Sequence, residues 1–157
     1  MDDPSTRRVI EVGRPIGAAE PPRLRPLTPR KLDDYPHLPA AYRDVAGVLA
    51  SPLLMGPPIC DELMALVRHL FTEEEAGACR HLGLYRGRTA AQVARAERRP
   101  VEQVAPILKQ LAEVKRAIVS SGPDEDPVYR LLPLVPGMFE MMLIGYTPET
   151  LTDWHRR

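Results

Sequence analysis

The stretch TAAQVARAERRPVEQVAPILKQLAEV, Thr89 to Val114, decides the fold. Thr89 stands three residues before Gln92, the spacing at which a threonine hydroxyl and a glutamine amide can cap each other's backbone amides, so a helix is expected over TAAQVARAE. ERRP then breaks the pattern, and Pro100 is well suited to begin a second helix. In VEQVAPILKQLAEV the apolar residues Val104, Ile107, Leu108 and Leu111 recur at helical spacing and face inward. Two helices joined by so short a turn form a helix-turn-helix. Beyond them lie AIVSS, the polar turn GPDEDP, and VYRLLP, two short β-prone runs around a loop, which read as a hairpin. Together they predict a winged helix: a mainly α (α+β) fold whose wing is the hairpin.

Working toward the N-terminus, TEEEAGACRHLGLY opens with Thr72 and Glu75 in the same capping relation, and Glu73 and Glu74 suit the positive end of a helix. This helix is expected to run to about Gly83. PPICDELMALVRHLF places Ile59, Leu63, Leu66, Val67 and Leu70 on one stripe behind two prolines, the pattern of a core-facing helix. Another short helix is expected near Ala40 to Ala50, ending at Ser51-Pro52. Eleven of the 18 prolines precede residue 59, so Met1 to about Lys31 should be non-helical. That segment carries Arg7, Arg8, Arg14, Arg23, Arg25, Arg30 and Lys31 against Glu11 and Glu20, a basic arm. The expected organisation is therefore a proline-rich arm over 1–56, a winged-helix domain over 57–133, and an apolar methionine-rich segment over 134–157.

Composition narrows the function. The 21 basic and 21 acidic residues cancel, so no global field draws the chain to nucleic acid or an anionic membrane. MDDPSTRR has no apolar signal region, and the two cysteines are too sparse for a secreted disulfide scaffold, which makes a cytoplasmic setting the expectation. No apolar run approaches the roughly 20 residues of a membrane span. The histidines His37, His69, His81 and His155 are scattered, without a phosphate loop or paired carboxylates, so the chain is not expected to be an enzyme. Cys60, Cys79, His69 and His81 match no metal-ligand spacing, and both thiols read as buried packing.

The succession FTEEEA, TAAQVA, VEQVAPILKQLA and DPVYRLLPLVPGMFEMMLIG resembles the winged-helix region at the front of bacterial and archaeal proteins of the 4Fe-4S ferredoxin type. The resemblance covers about residues 58 to 145, and YRLLPLVPGMFE is its most distinctive part. It implies a relation to redox proteins that continue into a cysteine-rich ferredoxin domain. A cubane cluster wants four thiolates and this sequence has two, so no cofactor is expected unless the natural chain continues beyond Arg157. Lys115 also departs from the pattern, since winged helices commonly leave the second helix through glycine.

The expected use of the fold is protein docking. LLPLVPGMFEMML, Leu131 to Leu143, carries one charge, Glu140, and Met138, Phe139, Met141, Met142, Leu143 and Ile144 want cover on more than one face. They form the expected apolar anchor for a protein partner or a second copy, with Trp154 and the arm residues Arg23 and Arg25 as further attachments. A DNA-binding regulator is the alternative, with Arg95, Arg98, Arg99 and Lys109 as contacts. Against it, the second helix offers Glu102, Gln103, Ala105, Pro106, Lys109 and Gln110 to a groove, and the wing tip Asp124-Glu125-Asp126 repels phosphate.

Overall fold

A computed structural model of the chain describes residues 26–144. It is a mixed α/β structure with six helices and a small three-stranded antiparallel sheet. The helices are α1 (Ala40–Leu49), α2 (Asp61–Leu70), α3 (Glu73–Cys79), α4 (Ala90–Glu97), α5 (Val101–Glu113) and α6 (Phe139–Leu143). The strands are β1 (Arg88–Thr89), β2 (Ile118–Ser121) and β3 (Val128–Leu131), in the order β1-β3-β2. No helix among the described residues is long and apolar enough to cross a membrane.

Local chemistry sets most helix starts. Thr72 Oγ1 accepts from Glu75 N at 3.2 Å while Glu75 Oε2 accepts from Thr72 N at 2.7 Å, and Thr89 and Gln92 repeat the exchange at the start of α4. α2 is capped differently, with Cys60 Sγ accepting from Leu63 N at 3.4 Å. α3 stops at Cys79, short of the expected Gly83, because Leu82 drops into the core and the Gly83 carbonyl accepts from Leu131 N at 3.1 Å. The hairpin forms as expected, pairing Ile118 with Leu131 and Ser121 with Val128. Strand β1, two residues long and polar, pairs Arg88 with Tyr129 and Thr89 with Val128 and carries no signal in the sequence.

One core runs through all of this. Val45, Ala46 and Leu49 of α1 meet Leu63, Met64, Val67 and Leu70 of α2, and the cluster continues through Val93, Val104, Leu108, Leu111, Ile118 and Leu131. Tyr35, Ala41, Val45, Ala46 and Leu49, which precede the expected boundary at residue 56, belong to this core. Their attachment begins upstream: Arg30 N donates to the Ile59 carbonyl at 2.7 Å, and Tyr35 Oη donates to Asp61 Oδ1 at 2.8 Å.

The turn out of α5 answers the missing glycine. The left-handed backbone lies at Arg116, φ 55°, and not at Lys115. Lys115 turns its side chain back to α3, where Nζ donates to Glu75 Oε2 at 2.6 Å.

Candidate functional site

The segment after β3 is shaped by its prolines and by Gly137. Leu134 through Gly137 form an irregular turn with a cis Val135–Pro136 bond, and Gly137 adopts φ 150°, a conformation closed to side chains with Cβ. Gly137 N donates to Glu140 Oε2 at 2.6 Å, which fixes the start of α6 and holds the Glu140 carboxyl below its usual range. At the other end of α6, the Arg116 guanidinium donates to the Ile144 carbonyl.

The apolar residues of this segment separate into two sets. Leu134, Met138 and Met142, four residues apart, are buried in the core, with Met138 wholly inaccessible. Val135, Phe139 and Leu143, offset by one, are exposed at 52%, 38% and 50%, and Ile144 joins them at 55%. Met141 is half-buried. The expected anchor is corrected accordingly: Met138 and Met142 are already covered by their own chain and cannot present to a partner, whereas Phe139, Leu143 and Ile144 stand outside. Val135 belongs with them and was missed because two prolines flank it. Trp154, Arg23 and Arg25 lie outside the described residues.

A second surface lies where α5 faces the hairpin loop. A groove of about 870 Å³ is lined by alanines, Pro106 and Tyr129 among others. Its charged lining is Glu102, Glu113, Asp124, Glu125 and Asp126 against Lys109 alone, and Lys109 Nζ lies 4.0 Å from Glu113 Oε1. The potential here repels a phosphate backbone.

The arginines of the alternative reading are dispersed. Arg99 Nη2 donates to Glu74 Oε1 at 2.6 Å, so α3 already holds it. Arg98 is exposed and ends α4 in a left-handed conformation, φ 56°. Arg95 is also exposed, but it lies in a different groove, beside Arg86 and Arg88. The structure does not bring Lys109 together with these arginines.

Another set of polar residues holds the fold. Glu97 Oε1 accepts from Arg80 Nε at 2.7 Å and sits 2.5 Å from His81 Nε2, in a cluster only 13–31% exposed. Burial pushes the Cys79 thiol well above its ordinary range, and Cys60 is spent on capping α2. The two described thiols therefore do not suit a cluster, and among the described residues no group of three or more His, Cys, Asp or Glu is placed to hold a metal ion. Compared with known proteins, the chain matches no family model, no curated protein and no solved structure.

Proposed function

We propose that this chain is a non-catalytic accessory or assembly subunit that docks a protein through the exposed face of its C-terminal segment. One observation carries the reading: Leu134, Met138 and Met142 anchor the segment while Val135, Phe139, Leu143 and Ile144 remain uncovered on it. Adjacent large apolar side chains held outward on an anchored scaffold are what a partner surface recognises.

The platform is a winged helix in this reading. The chain order α3, β1, α4, α5, β2, β3, with β1 beside β3, supports it, with α5 in the recognition position and β2–β3 as the wing. The acidic lining between α5 and the wing favours a protein over DNA as partner. Kinship with the front module of 4Fe-4S ferredoxin-type proteins rests on YRLLPLVPGMFE, which here forms the end of the wing, the turn and the start of α6. It points to a partner in a cytoplasmic redox system. The basic arm, joined to the domain at Arg30, is a second attachment.

The reading is tested by placing a photoreactive phenylalanine analogue at position 139 of the full chain in its native cells. The expected result is a discrete adduct with one protein, or with a second copy, that disappears when Leu143→Asp is added. No adduct, or adducts unaffected by Leu143→Asp, refutes docking through this face.

A further inference from the structure

Part of the charge on the described surface is paired. Arg30 meets Asp61, Arg80 meets Glu97, Arg99 meets Glu74, and Lys115 meets Glu75. Among the charges without an ion pair, two groups gather like charges in one place. Arg86, Arg88 and Arg95 line one groove of about 550 Å³ together with Gln92, and no carboxylate lines it. All three arginines are exposed, and none of their side chains has an ion pair or hydrogen-bond partner among the described residues. The other group is Asp124, Glu125 and Asp126 at the tip of the β2–β3 loop, equally exposed and with carboxylates that likewise have no partner among the described residues.

The basic groove is held in shape. Gly87, between two of the arginines, is so close to β3 that a Cβ there would lie 2.2 Å from Val128 Cγ1 and 2.9 Å from Arg130 Cγ. Pairing of Arg88 with Tyr129 fixes the following residue, and α4 presents Gln92 and Arg95 one turn apart. The backbone that carries the three arginines is thereby held around one groove.

The occupant follows from what lies on the other flank of the same helix. Ala90 and Ala91 of α4 border the acidic groove, whereas Gln92 and Arg95 border the basic one, so the body of α4, about 10 Å across, lies between them. A nucleic-acid duplex, whose major groove alone is about 12 Å wide, would overrun α4 and set phosphates against the five carboxylates beyond it. A narrow acidic loop avoids that repulsion. The chain itself carries such a loop, with three carboxylates to match three guanidiniums.

We infer that the groove of Arg86, Arg88 and Arg95 binds the acidic loop Asp124–Asp126 of a second copy of this chain. Groove and loop are different surfaces of one molecule, so the contact is either exchanged reciprocally about a two-fold axis or repeated head to tail. It is ionic and exposed, hence sensitive to salt, unlike the apolar contact of Phe139 and Leu143. It stands independently of docking through α6.

The test measures mass by light scattering over a concentration series for four samples, all carrying Leu143→Asp to remove self-association through α6: the chain with wild-type groove and loop, the double variant R88E/R95E, the double variant D124K/D126K, and an equimolar mixture of the two variants. The first is expected to rise above 17.6 kDa with concentration at low salt and to return to it at about 1 M salt, where screening acts within about 3 Å. Each variant alone should remain at 17.6 kDa, because its groove and loop then carry the same sign. The mixture should associate again, since the reversed groove of one now meets the reversed loop of the other. A first sample that stays monomeric at low salt, association that persists in R88E/R95E, or a mixture that fails to associate would each overturn the inference. So would a monomeric first sample that binds duplex DNA through Arg88 and Arg95.

Discussion

Lys115 Nζ sits 2.6 Å from Glu75 Oε2, joining the turn after α5 to the first turn of α3 across 40 residues of chain. Both side chains are largely buried, at 20% and 10% exposure, and the same carboxylate oxygen accepts from Thr72 N at 2.7 Å. One carboxylate thus caps α3 and fixes it to the end of α5. Removing the cation leaves a carboxylate held in the core without its partner. Lys115→Met is expected to cost about 3 kcal/mol in urea unfolding, the lower end for a broken buried pair because some exposure remains. Lys115→Gly, although it restores the residue common at this turn in winged helices, should destabilise as well, since the left-handed residue is Arg116. In a double-mutant cycle Glu75→Gln with Lys115→Met should cost less than the sum of the single changes; strict additivity would mean the two groups are uncoupled.

The two apolar sets of the C-terminal segment should respond in opposite ways. Met138→Ala removes a wholly buried side chain and is expected to lower stability by about 2–5 kcal/mol. Leu143→Ser, half-exposed, should change it by no more than about 0.5 kcal/mol. Thermal unfolding of both variants checks the division. Equal losses would mean that Leu143 is core.

Both described thiols should be silent in the native protein. Cys60 and Cys79 are 1% and 0% exposed, and burial raises the Cys79 thiol so that thiolate is scarce at neutral pH. A colourimetric thiol reagent should therefore react at the rate at which the chain opens, and the rate should climb through the urea transition. Prompt native reaction at Cys79 would contradict its sealed position.

Tyr35 links stability to high pH. Burial and the hydrogen bond to Asp61 raise its phenol from 10.0 to about 12. The folded state therefore favours the protonated phenol, and the stability this adds is fully present below pH 10 and is lost as pH rises from there to about 12. The stability difference between wild type and Tyr35→Phe should shrink over that interval, followed by urea midpoints at stepped pH. A difference that stays constant would exclude the coupling.

Gly87 is required by close approach and not by its backbone angle. An alanine methyl would meet Val128, Arg130 and the Tyr129 carbonyl at 2.2–3.1 Å, so Gly87→Ala should cost about 1–3 kcal/mol by overpacking. Amide exchange should quicken at the β1–β3 pairing before it does in α2. Unchanged protection there would mean β1 can shift without cost.

Local spacing made much of the fold legible. Thr72 with Glu75 and Thr89 with Gln92 mark two helix starts because a capping box needs only residues three apart. GPDEDP between β-prone runs marks the hairpin, and the stripes of α2 and α5 name most of their buried residues, although Met64 was missed. The candidate site was less legible. In LVPGMFEMML nearly every side chain is apolar, so hydropathy cannot distinguish the set beginning at Leu134 from the set beginning at Val135; the turn at Pro136 and Gly137 chooses which faces the core.

What the sequence alone determined is whatever neighbouring residues decide between themselves: helix starts, turns, and the apolar character of the C-terminal segment. Tertiary structure decided the rest. It recruited Arg88 and Thr89 into a sheet, joined Lys115 to Glu75, gave Arg99 to Glu74, and gathered Arg86, Arg88 and Arg95 in one groove. The reason is physical: these partners are brought together by packing around a shared core, and their distance along the chain carries no trace of it.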